Sequence, residues 1–131
     1  MENKPMKKIL VIEDEEEISK MLTKGFRKMG FEVEVANCGE IGLHHLKHQI
    51  PDLIVLDLMI PCLSGEEVCK AIREDMDAHI NQIPIIMLTA KNTDADQIVG
   101  RVLGANSYVR KPFEWDYLLK EINRVLPIEK V

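Results

Sequence analysis

The sequence has little of what would place it among secreted, membrane or metal-thiolate proteins. Its 131 residues include only three cysteines, one tryptophan, two tyrosines and three phenylalanines. An odd number of cysteines without metal-site spacing predicts free thiols in a reducing compartment rather than a disulfide framework. No apolar stretch approaches about 18 residues, so no membrane span is predicted. No apolar segment of the kind found in signal peptides lies near Met1, and we expect a cytoplasmic protein.

Basic residues are also in the minority. Lysine and arginine number 17 against 22 aspartates and glutamates, and the formal net charge is −5. A nucleic-acid surface needs clustered lysine and arginine, so no direct contact of this domain with nucleic acid is predicted. The 46% hydrophobic and 30% charged residues are ordinary for a globular protein. We expect a single domain over residues 1–131, with an ordered core at about 7–127.

Short apolar runs alternate five times with stretches that have apolar residues at helical spacing. The predicted strands are Lys8–Ile12, Glu32–Ala36, Leu53–Asp57, Ile85–Thr89 and Ser107–Arg110. The predicted helices are Glu16–Met29, Gly39–Gln49, Glu66–Met76, Asp94–Leu103 and Glu114–Leu126. This alternation predicts an α/β fold with a doubly wound, five-stranded parallel sheet. The flavodoxin-like strand order 2-1-3-4-5 fits best, because the second strand is the most polar and suits a sheet edge.

Reactive groups stand at the ends of four predicted strands. Glu13 and Asp14 follow the first strand, Asp57 ends the third, Thr89 ends the fourth and Lys111 follows the fifth. Ligands of such sheets bind beyond the carboxyl ends of the strands, so we expect these groups to meet in one crevice. Each has an ordinary alternative, since a lone acid can cap a helix and a lone lysine is usually solvated. The coincidence at four strand ends favours a site.

Three crowded carboxylates repel one another and stay ionised only if a cation lies among them. Mg²⁺, or Mn²⁺, is expected there because it prefers oxygen ligands. We predict Asp14 and Asp57 as direct ligands, Glu13 as a ligand through water, and the backbone carbonyl of Met59 as a further ligand.

Asp57 can also act as a nucleophile, because a carboxylate that attacks phosphorus forms an acyl phosphate. The cation and Lys111 would neutralise the charge on the transferred phosphoryl group. The Thr89 hydroxyl would donate a hydrogen bond to one of its oxygens.

A set of short motifs gives a family resemblance. The motifs are Glu13-Asp14, Asp57-Leu58 with Pro61 and Gly65, Thr89-Ala90, Gly104-Ala105, Tyr108, and Lys111-Pro112-Phe113. In this order and spacing the chain resembles the receiver domain of bacterial two-component response regulators, with a chemotaxis-regulator-like fold, over nearly its whole length. The resemblance implies that Asp57 accepts a phosphoryl group from a phosphohistidine on a sensor histidine kinase or a phosphotransfer protein. Glu13 and Asp14 would hold Mg²⁺.

The resemblance also implies a switch. Thr89 and Tyr108 would be the switch pair, Lys111 would contact the phosphate, and the bond before Pro112 would be cis. Phosphorylation would change the surface of the fourth predicted helix, the last strand and the last helix. That surface would bind a downstream protein target or an output domain, or form a homodimer. The domain would assist its own phosphorylation and dephosphorylation without being a turnover enzyme.

Three other interpretations compete with this one. In the first, the chain is the N-terminal receiver of a longer transcriptional regulator. A phosphatase with an aspartate nucleophile would usually carry a second aspartate two residues later, where this chain has Met59. A flavin-binding electron carrier would need a phosphate loop after the first strand, whereas the acidic run of residues 13–17 would repel phosphate.

Overall fold

The computed structural model describes residues 6–90 and 94–126, and within these the side chains of all residues except 94–97. Five strands form one sheet, and all five have the predicted bounds. They are β1 (Lys8–Ile12), β2 (Glu32–Ala36), β3 (Leu53–Asp57), β4 (Ile85–Thr89) and β5 (Ser107–Arg110). All neighbours are parallel and the order is β2-β1-β3-β4-β5, which confirms the predicted topology. Glu32 and Glu34 of β2 are exposed, as expected of an edge strand.

Helices cover both faces of the sheet. They are α1 (Glu16–Lys28), α2 (Gly39–His48), α3 (Gly65–Arg73), α4 (Ala78–Asn81), α5 (Asp94–Val102) and α6 (Trp115–Val125). Leu22 and Phe26 of α1 and Ile122 of α6 pack with one set of strand residues. Leu46 of α2 and Ile72 of α3 pack with the other set. The strands are apolar on both faces for this reason, since each face meets a helix layer.

The predicted end of the third helix is wrong. The helix stops at Arg73 instead of Met76, and Met76 is fully exposed. A separate turn, α4, follows because the Asp77 side chain accepts a hydrogen bond from the backbone N–H of His79 and begins a new helix. At the other end, Ser64 and Glu67 form a reciprocal capping box that starts α3 one residue early.

The capping motif that starts the fourth predicted helix includes Thr93, and Pro127 follows the last one; both lie outside the described residues. No helix among residues 6–90 and 94–126 is long and apolar enough to cross a membrane.

One side chain joins the amino ends of β4 and β5 to α3. The Arg73 guanidinium donates hydrogen bonds of 2.8–2.9 Å to the carbonyl oxygens of Gly104, Asn81 and Ile83 and to Oδ1 of Asn106. We call this group the Arg73 clamp. Within this clamp, Oδ1 of Asn106 also accepts a hydrogen bond of 2.9 Å from the backbone N–H of Ile85. The clamp lies at the end of the sheet opposite to the carboxyl ends of the strands.

Candidate functional site

Three carboxylates meet at the carboxyl edge of the sheet. Asp57 is the last residue of β3, and Glu13 and Asp14 directly follow its neighbour β1. Their ligand atoms lie within 4.8 Å of one another, so these three residues could hold a metal ion. Glu13 and Asp57 are only 2% and 3% exposed, whereas Asp14 is open to solvent. The convergence follows from parallel pairing, which brings the ends of β1 and β3 side by side.

Lys111 supplies the positive charge of the site. Its Nζ lies 3.0 Å from Asp57 Oδ2, 2.7 Å from Glu13 Oε1 and 3.3 Å from Glu15 Oε1. The backbone N–H of Lys111 donates to the carbonyl oxygen of Thr89 at 2.8 Å, which anchors the residue after β5. From there its side chain extends past the end of β4 to β3. The Lys111–Pro112 peptide bond is cis, as the resemblance implied.

Burial affects the pKa values of both Glu13 and Lys111 in this cluster. Burial raises the pKa of Glu13 from 4.5 to about 7; the neighbouring Asp57 adds to the rise, and the ion pair with Lys111 opposes it. Burial alone would lower the pKa of Lys111, but its ion pairs with Glu13 and Asp57 outweigh burial and the pKa is raised. The site therefore favours a charged lysine and holds one carboxyl close to protonation at neutral pH.

Glu13 carries an oxygen that protein groups do not fully satisfy. Its Oε2 accepts the backbone N–H of Glu15 at 3.1 Å. Its Oε1 is buried and, although it is 2.7 Å from Lys111 Nζ, receives no hydrogen bond of good geometry. A buried carboxylate oxygen without a directed donor is costly unless a cation or an ordered water meets it.

Asp57 is held from two sides. Lys111 contacts Oδ2, and the backbone N–H of Met59 donates to Oδ1 at 3.0 Å. The side chain of Met59 is 61% exposed, so only its backbone belongs to the site. A carboxylate fixed in this way, beside two others, has the groups needed to hold a divalent cation and to attack an electrophilic phosphorus.

The two predicted switch residues share one face of the sheet. Thr89 is fully buried at the end of β4, and Tyr108 of β5 is 7% exposed. Tyr108 pairs with Met87 in the sheet register, two residues before Thr89, so strand periodicity directs both side chains to the face of Met87. On that face the Tyr108 ring packs against Gly100 of α5, where an added Cβ would lie 2.9 Å from the ring.

Sequence reasoning missed two contributors to the site. Glu15 was noted only as part of the acidic run of residues 13–17, yet its carboxylate contacts Lys111. Gly65 was noted as a motif residue without a structural role. A Cβ on Gly65 would lie 2.5 Å from the Asp57 carbonyl oxygen and 2.6 Å from Leu58 Cα. Its N–H donates to the Leu58 carbonyl oxygen at 2.9 Å, so the start of α3 packs directly on the backbone of the candidate nucleophile.

Known proteins resemble this chain in sequence. The model of the response regulator receiver domain matches residues 9–123. The transcriptional regulatory protein AfsQ1 of Streptomyces coelicolor is 44% identical over 121 residues, which are 92% of this chain and 52% of AfsQ1. The alkaline phosphatase synthesis transcriptional regulatory protein PhoP of Bacillus subtilis is 45% identical over 107 residues, which are 82% of this chain and 43% of PhoP. The chain thus spans about half the length of these curated relatives.

The fold also matches solved structures. The chemotaxis response regulator CheY4 of Vibrio cholerae superposes with a TM-score of 0.85 at 33% identity, covering 93% of this chain and 100% of that one. The family model covers most of the sequence, and the fold and the acidic edge of the sheet agree with it. This chain belongs to the response regulator receiver domain family and functions as a receiver domain of two-component signal transduction.

Proposed function

We propose that Asp57 accepts a phosphoryl group from the phosphohistidine of a sensor histidine kinase or a phosphotransfer protein, in a reaction that depends on Mg²⁺. One observation carries the proposal: a buried Asp57 lies 3.0 Å from Lys111 Nζ within a cluster of three carboxylates. An oxygen of Asp57 attacks phosphorus and forms the acyl phosphate. The P–N bond of the donor breaks, and its electron pair returns to the imidazole nitrogen.

The donor set fits Mg²⁺, or Mn²⁺ in its place. All candidate ligands are oxygens, and the buried Glu13 Oε1 has no well-directed donor. We assign Asp14 and Asp57 as direct ligands, Glu13 as a ligand through water and the Met59 carbonyl as a further ligand. Asp14 is exposed, which leaves a route for the ion from solvent. A bound ion would neutralise charge on the phosphoryl group during its transfer.

Lys111 changes partner in this proposal. In the unphosphorylated chain its ammonium pairs with Asp57 and Glu13. Once Asp57 carries a phosphoryl group, the ammonium contacts a phosphoryl oxygen, and the Thr89 hydroxyl donates to another. Thr89 ends β4, the neighbour of β3, and Lys111 already contacts Asp57 from the end of β5, so both lie within reach of the added group.

This rearrangement of Thr89 and Tyr108 then changes the surface formed by α5, β5 and α6. Movement of Thr89 towards the phosphoryl group frees space on the face it shares with Tyr108, whose ring packs under Gly100 of α5. Ile98 and Val102 of α5 are 62% and 79% exposed, so this surface offers apolar contacts to a target, an output domain or a second copy.

The charged groups on that surface are partly used within the chain. Arg124 lies 3.1 Å from Glu121, and Glu121 accepts the Ser107 hydroxyl at 2.6 Å. The side chains of Asp94 and Asp96 on α5 lie outside the described residues. The apolar residues of α5 are therefore the better basis for the proposed contact.

The output is a second point of proposal. AfsQ1 and PhoP are described as transcriptional regulatory proteins of about twice this length, which favours a receiver that controls an attached output domain if this sequence is part of a longer protein. An antibody against this chain would detect the native protein and show its size, which distinguishes a protein of this length from a longer one that contains this sequence. We propose that the domain itself is a phosphoacceptor, not a turnover enzyme, because Met59 stands where a phosphatase of this chemistry has its general acid.

The test is phosphorylation by acetyl phosphate with and without Mg²⁺, followed by intact mass. Wild type should gain the mass of one phosphoryl group only with Mg²⁺, and Asp57→Asn should gain none. Asp116→Asn, an exposed carboxylate on α6, controls for the loss of one negative charge and should be modified like wild type. A folded wild-type protein that binds Mg²⁺ but gains no mass would contradict the proposal.

A further inference from the structure

Two cysteines that are distant in sequence meet beside the site. Cys38 lies between β2 and α2, and Cys62 lies between β3 and α3. Each of these two thiols shifts the pKa of the other, and all three cysteines of the chain are free. Cys38 is 8% exposed and Cys62 is exposed. The sequence predicted free thiols without any pairing, because 23 intervening residues hide this contact.

The backbone on both sides of the thiols is also in contact. The N–H of Gly39 donates to the Pro61 carbonyl oxygen at 3.3 Å. An added Cβ on Gly39 would lie 2.8 Å from the Leu63 carbonyl oxygen, so nothing larger fits between the two segments. The approach of the two cysteines is therefore built into the backbone and does not depend on one side-chain rotamer.

Cys62 has an unusual backbone for its residue type. Its φ is +74°, and it is the one residue other than glycine with positive φ among those described. This left-handed conformation favours glycine or asparagine and is strained for other residues. The segment that carries Cys62 therefore holds an unusual backbone conformation directly beside the segment that carries Cys38.

We propose that Cys38 and Cys62 are a modification site at which a peroxide forms an intramolecular disulfide, joining the segment before α2 to the segment between Asp57 and α3. The proposal does not depend on phosphorylation of Asp57. A protein in a reducing compartment would hold such a bond only transiently, as redox-sensing pairs do.

The chemistry needs one equivalent of hydrogen peroxide. A thiolate sulfur attacks one peroxide oxygen, the O–O bond breaks, and protonation of the leaving hydroxide gives a sulfenic acid and water. The second sulfur attacks the sulfenic sulfur, the S–O bond breaks, and the hydroxide leaves as water with the proton of the second thiol. Two thiols are oxidised by two electrons in total, and one peroxide is reduced to two waters.

Cys38 suits the role of first nucleophile. The backbone N–H of Ile41 at the start of α2 and the Cys62 thiol lower the pKa of Cys38. Cys69 gives the internal contrast, because burial raises the pKa of its thiol, which donates to the Leu103 carbonyl oxygen at 3.4 Å. Cys69 is fully buried on α3 and is not expected to react.

The experiment treats the full chain with hydrogen peroxide and measures free thiols and intact mass under non-reducing conditions. Wild type should lose two thiols and two hydrogen masses as a monomer, and dithiothreitol should restore both. Digestion with trypsin and a glutamate-specific protease separates Cys62 from Cys69, since Glu66 and Glu67 lie between them. The linked peptides should contain Cys38 and Cys62.

Three variants complete the test. Cys38→Ser places a favoured N-cap residue before α2 and Cys62→Asn suits a positive φ, so both should fold; neither should form the linked product. Cys69→Ser should form it like wild type. Peroxide that yields only sulfinic acid, intermolecular dimers or a link to Cys69 would overturn the proposal, as would a wild type that keeps its thiols at peroxide levels that oxidise a free model thiol.

Discussion

Replacing Glu13 by glutamine should remove a pH-dependent loss of stability. In the folded chain burial raises the pKa of Glu13 to about 7, whereas the unfolded chain ionises near the ordinary value of 4.5. Below pH 4.5 both states hold the proton. As the pH rises from 4.5 to 7, the unfolded state loses it first, so the wild-type folded state becomes progressively less favoured. At 1.36 kcal/mol per pKa unit, the loss amounts to about 3 kcal/mol above pH 7.

The assay is urea unfolding without metal at several pH values between 4.5 and 8. The single tryptophan, Trp115, reports unfolding because its ring packs 5.4 Å from that of Phe26. The free energy of unfolding of wild type relative to Glu13→Gln should fall by about 3 kcal/mol across this range. Mg²⁺ should reduce the fall, because a cation among the carboxylates favours the ionised form.

The matched control is Glu15→Gln. Glu15 contacts the same lysine, but its side chain is 62% exposed, so its replacement should leave the pH dependence of wild type in place. A difference between wild type and Glu13→Gln that stays constant with pH would refute the reasoning. A fall of equal size in the Glu15 comparison would do the same, because burial would then not be its cause.

Three further substitutions test the packing around the site and the base of the sheet. Gly65→Ala should lower both thermal stability and acetyl phosphate labelling, because its Cβ would meet the Asp57 backbone at 2.5 Å; normal labelling would contradict this. Arg73→Met should lower the free energy of unfolding by about 3 kcal/mol in urea titrations, because buried carbonyls lose charged donors. Gly25→Ala should displace the Trp115 ring and cost about 2 kcal/mol, seen as a red-shifted emission; unchanged emission would count against it.

The strands and the site were predictable because local patterns determine them. The strands β1, β3 and β4 are short apolar runs bounded by turn residues, and the polar alternation of β2 identified the edge. Because the strands are parallel, groups at their carboxyl ends converge at one end of the sheet, which is the reason that Asp57 and Lys111 were predicted to meet. The roles assigned to these residues remain predictions that the phosphorylation test addresses.

What the sequence missed depends on long-range contacts. The sequence analysis assigned no role to Asn106, yet its amide oxygen accepts hydrogen bonds from Arg73 and from the backbone of Ile85. No local sequence pattern indicates a contact between two residues that are 33 positions apart. The pairing of Cys38 and Cys62 was hidden for the same reason, since it follows from how two loops pack and from one positive φ.

The Arg73 clamp also constrains how the chain can be assembled during synthesis. Arg73 emerges from the ribosome early, but two of its acceptors, Gly104 and Asn106, are 31 and 33 residues further along. A nascent chain that ends before them has α3 and β3, yet part of its guanidinium has no protein acceptor and the Ile85 N–H lacks its amide partner. The base of the sheet therefore closes only when β5 arrives, and a truncation before Asn106 should yield a loosely packed, protease-sensitive intermediate.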